Sequence, residues 1–216
     1  MGGKFFFLTG LNDTMTLQTT LILAAYLTGA IPFGLFIGRL AGADVRREGS
    51  GNIGATNVGR VLGKKLGFLT LLCDVAKGFL PVWTAAHLLP QSTANRELMV
   101  VSCGLAAVVG HMFPLYLQFR GGKGVATALG VFLALSPWSI LISVGIFIAA
   151  VAASGYVSVG SLAASALIPL WLWILGESSV ILMVAAVIVA LIWCKHGSNI
   201  GRLLRHEEKS WRKGKA

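Results

Sequence analysis

Residues 125–194 read VATALGVFLALSPWSILISVGIFIAAVAASGYVSVGSLAASALIPLWLWILGESSVILMVAAVIVALIWC, and this stretch decides the fold. It carries a single charged side chain, Glu177. It is too long for one helix, because about 20 apolar residues suffice to cross a bilayer core of about 30 Å. Helix breakers at Ser136-Pro137, Ser154-Gly155 and Gly176-Glu177 divide it. We predict helices at 125–136, 138–153, 157–175 and 178–195, of which the first is short for a complete span and is a candidate for a partly re-entrant helix.

Three further apolar runs precede this stretch, at Leu17–Leu40, Leu66–Leu89 and Leu98–Leu117. Hydrophobic residues make up 56% of the chain and charged residues 12%, about half the charged share of a soluble domain. This composition excludes an ordinary soluble enzyme, a disordered chain and a nucleic-acid-binding domain. The sequence therefore predicts an all-α polytopic membrane protein with about seven transmembrane helices.

Its three cysteines are an odd number within apolar runs, so we expect no disulfide framework.

The orientation follows from the basic residues, which give the chain a formal net charge of +10. All except Lys4, Lys77 and Arg96 lie in or beside the segments 41–65 and 117–124 and the tail from Lys195. Four crossings within 125–194 place these three segments on one side, which the positive-inside rule makes cytoplasmic. Seven spans then leave the N-terminus outside and the C-terminus in the cytoplasm. Five spans also satisfy this parity, but they require helices of about 35 residues that ignore the breakers.

The ends of the chain differ from the apolar part. Met15 lies just before the first span, so we expect residues 1–16 to be an N-terminal extension, either native or the product of an upstream start-site assignment. Residues 17–208 are predicted to form a single transmembrane domain. Residues 209–216 form a basic C-terminal tail.

Motif 1, residues 46–60, reads RREGSGNIGATNVGR. Its glycines allow backbone N–H groups to converge on one point, a geometry that suits an oxyanion such as phosphate. The side chains that add hydrogen-bond donors or positive charge are Arg47, Ser50, Asn52, Thr56, Asn57 and Arg60. The alternative is a flexible basic loop that lies against lipid headgroups.

Motif 2, residues 110–127, contains RGGKG directly before an apolar helix. The helix dipole, the free N–H groups of the first helical turn and Lys123 all favour an anion there. The motif is not a Walker A loop, because the positions of the first glycine and of the Ser or Thr are held by Leu117 and Gly124. His111, near Pro114, is interpreted as a packing or capping histidine.

Motif 3, residues 195–208, reads KHGSNIGRLLRHEE and follows the last span directly. His196 has no second metal-ligating residue at suitable spacing, so proton transfer or a phosphate contact is the expected role. A basic tail on anionic lipid is the alternative. Asp74 and Lys77, at i and i+3 inside the second span, share one helix face and are expected either to pair or to function.

Taken together, the three motifs resemble the PlsY family of bacterial membrane acyl-phosphate–glycerol-3-phosphate acyltransferases. The resemblance covers about residues 17–208 and includes DVAKG at 74–78. It departs at Gly155, where the family commonly has a basic residue before Tyr156, so no phosphate contact is assigned to residue 155, whereas Ser158 matches. The chain lacks the His-x₄-Asp pattern of acyl-CoA acyltransferases, which agrees with an acyl-phosphate donor.

The resemblance implies transfer of a long-chain acyl group from acyl phosphate to the 1-hydroxyl of sn-glycerol 3-phosphate. The products would be lysophosphatidate and phosphate, in bacterial phospholipid synthesis at the cytoplasmic face of the inner membrane. No metal, CoA or other cofactor and no nucleic acid is implied; the partners are the two substrates and membrane lipid.

The resemblance also implies a role for individual residues. The implied catalytic residues are Ser50, Arg60, His196 and Asn199. The implied substrate- and phosphate-binding residues are Asn52, Thr56, Asn57, Gly121, Gly122, Lys123, Gly124 and Ser158. Glu207, Asp74 and Lys77 are implied to be structural.

Two questions stay open from the sequence. The proton of the attacking hydroxyl could pass to His196 or to a phosphate oxygen of the acceptor. The alternative functions are a transporter of small organic phosphates, whose binding groups would lie near the bilayer midplane, and a lipid-binding scaffold. Neither accounts for all three motifs on one side of the membrane.

Overall fold

The computed structural model describes residues 2–212, and their side chains from residue 15 onward. Within this range the chain forms α-helices and one short 3₁₀ turn, and no strand. The helices are α1 (Gly2–Ala30), α2 (Phe33–Leu40), α3 (Ala55–Leu62), α4 (Lys64–Leu88), α5 (Arg96–Met112), α6 (Val125–Leu135), α7 (Pro137–Ser154), α8 (Val157–Ile174), α9 (Ser179–Lys195) and α10 (Gly197–Leu204), with the 3₁₀ turn at Leu115–Leu117. The all-helical prediction is confirmed. Met1, in the predicted N-terminal extension, and residues 213–216 of the predicted basic tail lie outside the described residues.

Helix ends coincide with the breakers in the long apolar stretch. α6 ends before Ser136, and Pro137 occupies the first position of α7, where a missing N–H costs no helical hydrogen bond. α7 ends at Gly155 with φ of 79°, and Gly176 with φ of 75° follows α8; both conformations favour glycine. The four predicted segments are therefore four separate helices.

The predicted total of seven spans stays a prediction, because not every helix has the length and apolar character of a complete span. Five segments are long and apolar enough to cross a membrane, or six if α9 and α10, bent by 54°, form one span. These five are Met15–Leu40, Lys64–Leu88, Arg96–Leu117, Pro137–Ser154 and Val157–Ile174. The fourth predicted segment, α6, has 11 residues and is about 16 Å long at 1.5 Å per residue, about half of the bilayer core.

Close helix crossings at glycine hold α6 against α4. A Cβ added to Gly78 would lie 2.0 Å from the Thr127 carbonyl oxygen, and one added to Gly130 would lie 2.0 Å from that of Val75. Small residues at such crossings let backbones approach within a membrane, where helices gain no hydrophobic association from water. The glycines at the equivalent crossing of α1 and α5 are Gly29 and Gly110.

Several loops and the C-terminal segment meet on one face of the helical bundle. Lys209 Nζ donates to the Gly49 carbonyl at 2.6 Å, so the residue that directly follows motif 3 contacts motif 1. The N–H of Trp211 donates to the carbonyl of Gly155 at 3.0 Å, so the turn between α7 and α8 lies on the same face. α6 starts beside this face and α7 ends on it. The two helices therefore form a hairpin that runs away from the face and back to it.

Candidate active site

The loop of motif 1 is organised by the buried side chain of Asn57. Its Nδ2 donates to the carbonyls of Val45 at 2.8 Å and Glu48 at 3.1 Å, and its Oδ1 accepts from the Ser50 N–H at 2.7 Å. A Cβ on Gly49, whose φ is 62°, would lie 2.2 Å from Asn57 Oδ1. Asn57 therefore shapes the loop. Both N–H groups of its amide are engaged within the chain, and its predicted phosphate-binding role stays a prediction.

The other polar residues of motif 1 divide into two groups. Asn52 Oδ1 accepts from the Gly54 N–H at 2.8 Å and so forms the turn that leads into α3. Ser50, Thr56 and Arg60 are exposed on the face that carries the three motifs. These three side chains, two of them hydroxyls and one a cation, are placed where a substrate could reach them.

Gly121 and Gly122 of motif 2 are packed against the chain that precedes them. The Gly121 N–H donates to the Met112 carbonyl at 3.2 Å and the Gly122 N–H to the His111 carbonyl at 3.1 Å. A Cβ on Gly121 would lie 2.1 Å from the His111 carbonyl oxygen, and one on Gly122 would lie 2.1 Å from His111 Nε2. The N–H groups of both glycines are used within the chain, and their lack of a Cβ serves close packing, so they shape the turn. Their place among the phosphate-binding residues stays a prediction.

Anion-binding groups of motif 2 begin one residue later. Gly124 has a φ of 81° and directly precedes α6, whose first-turn N–H groups have no helical acceptor and favour an anion. The ammonium of Lys123, before that turn, donates to Asn199 Oδ1 and so joins motif 2 to motif 3. Burial lowers the pKa of Lys123 to about 8; Glu208 opposes this shift, and the positive charges of Arg202 and Arg60 add to it.

These electrostatic effects show that the three motifs converge. Lys123 interacts with Arg60 of motif 1 and with Arg202 and Glu208 of motif 3. Three cations around one partly buried point form a site that suits a phosphate dianion. In the described part of the chain, His, Cys, Asp and Glu side chains form no group of three or more that could hold a metal ion.

Glu208 is the carboxylate that ties this site together. It accepts from Ser158 Oγ at 2.9 Å, Asn199 Nδ2 at 2.5 Å and Arg202 Nε at 2.7 Å. Burial raises its pKa, but these three hydrogen bonds outweigh burial and lower the pKa below the usual value. Ser158, predicted to bind phosphate, is thus a partner of Glu208.

The resemblance implies a structural role for the neighbouring carboxylate, Glu207. Glu207 is exposed and pairs with Arg205 at 2.9 Å. The geometry favours Glu208 instead, because Glu208 and not Glu207 accepts hydrogen bonds from Ser158 and Asn199. The chain turns at His206, just before this pair, with a φ of 57°. The sequence shows two adjacent acidic residues here, and this pattern does not indicate which of the two faces the site.

His196 lies at the junction of α9 and α10, and its side chain is buried. Its Nδ1 is 2.8 Å from the Ile192 carbonyl oxygen, which can only accept, so Nδ1 carries the proton of the neutral ring. Nε2 is then the unprotonated nitrogen and can accept a proton or a hydrogen bond. Asn199, in the first turn of α10, accepts from Lys123 and donates to Glu208.

Asp74 and Lys77 form a buried ion pair in α4, at 2.9 Å. Lys77 Nζ also donates to the Ile31 carbonyl at 2.8 Å, at the break before Pro32 where α1 ends. Both contacts are with groups of the chain itself, as the implied structural role requires.

Comparison with known proteins identifies the fold and its family. Residues 19–206 match the family model described as glycerol-3-phosphate acyltransferase. The chain belongs to the glycerol-3-phosphate acyltransferase family. A relative named glycerol-3-phosphate acyltransferase from Desulfotalea psychrophila is 64% identical over 191 residues, which cover 88% of this chain and 96% of the relative. One of the same name from Trichlorobacter lovleyi is 48% identical over 198 residues, 92% of this chain and 100% of the relative.

Solved acyltransferase structures share this architecture. A crystal structure of PlsY (YgiH), described as an integral membrane glycerol 3-phosphate acyltransferase in its glycerol 3-phosphate form, is 42% identical to this chain. The TM-score is 0.84, and the match covers 90% of this chain and 95% of that one. A second structure, of the lysophosphatidic acid form, gives a TM-score of 0.82. The resemblance to the PlsY family inferred from the three motifs is thus confirmed, and this chain is an integral membrane acyltransferase.

Proposed function

We propose that this acyltransferase takes a long-chain acyl group from an acyl phosphate and transfers it to the 1-hydroxyl of sn-glycerol 3-phosphate. The products are lysophosphatidate and inorganic phosphate. The observation that carries the proposal is the contact between Lys123 and Asn199, because it brings motif 2 onto motif 3 beside Arg60 of motif 1. The substrate and product named for the two PlsY structures support the acceptor.

The cations around Lys123 suit both phosphates in this reaction. Glycerol 3-phosphate carries about two negative charges at neutral pH, and the leaving phosphate gains charge as the carbon–oxygen bond breaks. Lys123, Arg60 and the N-terminal turn of α6 are positioned to neutralise that charge. Asn199 holds the Lys123 ammonium, so the positive charge is fixed before substrate arrives.

The chemical step needs a positioned hydroxyl more than a protein nucleophile. The 1-hydroxyl oxygen attacks the acyl carbonyl carbon, the bond to phosphate breaks, and the hydroxyl proton passes to a nearby base. Nε2 of His196 is one acceptor for that proton, and a phosphate oxygen of the acceptor substrate is the other. In the proposal Ser50 and Arg60 act on charge that develops at the carbonyl oxygen and the leaving phosphate.

An apolar groove supports a long-chain donor. It opens between the α1–α2 break and the Leu115–Leu117 turn and is lined by Ile31, Pro32, Leu35, Phe36, Tyr116 and Leu117, with Arg39 beside them. Apolar walls with a cation among them match an acyl chain that ends in a phosphate. The groove adjoins motif 2, where the reacting end would be held.

The site is proposed to face the cytoplasm of a bacterial cell, in the inner membrane. The three basic segments and the α7–α8 turn meet on one face, and cytoplasmic loops carry most Lys and Arg. Counting both α6 and the bent α9–α10 pair as crossings gives seven, with the N-terminus outside and residues 17–208 as the acyltransferase domain. Membrane lipid surrounds this domain, and no nucleic acid is involved.

The proposal is tested by comparing the turnover of two acyl donors. Purified protein receives glycerol 3-phosphate with either palmitoyl phosphate or palmitoyl-CoA, and lysophosphatidate is quantified. We expect product from palmitoyl phosphate and turnover lower by at least about a hundredfold, or about 2.7 kcal/mol in barrier, from palmitoyl-CoA. Comparable turnover with both donors would contradict the proposed donor and leave the acceptor unaffected. The H196A variant serves as the catalytic control.

A further inference from the structure

His111, which the sequence predicts to be a packing or capping histidine, lies directly under the Gly121–Lys123 turn. It is 4% exposed and belongs to α5. Its carbonyl accepts the Gly122 N–H at 3.1 Å. A Cβ on Gly122 would lie 2.1 Å from His111 Nε2 and 2.8 Å from Cε1. Ring and backbone of one residue therefore support the same point of the turn.

The other edge of the ring faces the buried ion pair. His111 Nδ1 is 3.7 Å from Asp74 Oδ1 and has no hydrogen-bond partner in the described residues. Asp74 is in turn held by Lys77 at 2.9 Å, and Lys77 donates to the Ile31 carbonyl at 2.8 Å. The ring is thus enclosed between a fixed carboxylate in α4 and the glycine turn of motif 2.

Charge compensation alone does not explain this arrangement. Asp74 and Lys77 already neutralise each other on the same helix. A buried pair is stabilised further by polar neighbours such as His111, but that does not account for the contact of the opposite ring edge with Gly122. The imidazole adds a rigid connection from the pair to Gly122, one residue before Lys123. Lys123 must reach Asn199 from that position, so a displaced turn would displace the ammonium.

We propose that His111, backed by the Asp74–Lys77 pair, is a positioning residue that fixes the Gly121–Lys123 turn and so holds Lys123 in place for phosphate binding. This inference rests on the proposed function, which assigns the turn to glycerol 3-phosphate. His111 touches no reacting atom in this account. Its effect is exerted through Gly122.

The test is a double-mutant cycle with three variants, H111A, G122A and H111A/G122A. H111A removes the ring under the turn. We expect KM for glycerol 3-phosphate to rise about tenfold, the change in affinity that the loss of one hydrogen bond produces. The value of kcat should change little. G122A drives a methyl group into the ring and should raise KM further. In the double variant the methyl occupies the space of the ring, so its KM should lie below that of G122A. The matched control is H87A. His87 is exposed in the last turn of α4, so its replacement should leave kcat and both KM values at the wild-type level.

Two results would overturn the proposal. One is a folded H111A enzyme with unchanged KM for both substrates; the other is a double variant whose KM change equals the product of the single changes. If H111A is not recovered from membranes, H111N, which keeps a donor facing Asp74 but lacks the ring edge, takes its place under the same criteria. A non-additive cycle that appears only in KM for acyl phosphate would support the positioning role and contradict the assignment of the turn to glycerol 3-phosphate.

Discussion

At the scale of single residues, Lys123 carries a charge that can be lost near neutral pH. Its pKa is lowered to about 8, chiefly by burial. The ammonium therefore deprotonates as pH rises through about 8, and the positive charge that faces phosphate disappears. We expect kcat/KM for glycerol 3-phosphate to fall above pH 8.

The K123R variant is the control for this pH dependence. Arginine stays protonated throughout the range, so the fall above pH 8 should be absent, whatever the absolute activity. Initial rates at subsaturating glycerol 3-phosphate from pH 6.5 to about 9.5 measure it. A fall at pH 8 that persists in K123R would exclude Lys123 as its cause.

Glu207 and Glu208 form a natural pair for a second prediction at this scale. Glu208 accepts three hydrogen bonds from the site, whereas Glu207 is exposed and pairs with Arg205. E208Q keeps the shape but removes charge-assisted hydrogen bonds worth about 1.5–3 kcal/mol each. We expect kcat to fall about tenfold or more in E208Q and to stay near wild type in E207Q, measured on membranes with matched protein levels. Equal effects of the two substitutions would contradict the central role of Glu208.

At the scale of elements, the turn of motif 2 depends on glycines that contact backbone. The G121A and G122A variants place a methyl 2.1 Å from the His111 carbonyl oxygen or ring, so the turn must move away from α5. We expect KM for glycerol 3-phosphate to rise while kcat changes little, because the displaced group binds ground state and transition state alike. G145A in α7 is the control, since a Cβ there meets no atom within 4 Å. Loss of kcat at unchanged KM would place the turn in the chemical step.

Sequence predicts the elements better than it predicts contacts within the site. Helix ends at Pro137, Gly155 and Gly176 follow from local backbone restrictions that any chain obeys. The roles of Gly121 and Glu208 depend on what lies opposite them in the fold. The hydrogen bond from the Gly121 N–H to the Met112 carbonyl requires the chain to reverse around Pro114. Neither the spacing nor the composition of the sequence shows which residue lies opposite Gly121.

At the scale of the whole molecule, the account requires all three motifs on one side of the membrane. In a background without the three native cysteines, S50C and S198C, both at exposed positions, should react with an impermeant thiol reagent only from the cytoplasmic side. S92C, in the loop between α4 and α5 at the opposite end of the bundle, should react only from outside. Labelling of S50C and S198C from opposite sides would exclude a shared site.

The central claim is that this shared face performs the acyl transfer. The most direct measurement follows radiolabelled glycerol 3-phosphate into 1-acyl-glycerol 3-phosphate, with purified protein and palmitoyl phosphate, for wild type beside S50A, R60A and H196A. The account predicts one phosphate released per acyl group transferred. It also predicts turnover at saturating substrate that is about ten- to a hundredfold lower in each variant, as expected for a lost charge-assisted hydrogen bond. Product formation at the wild-type rate in all three variants would show that the reaction takes place elsewhere in the protein.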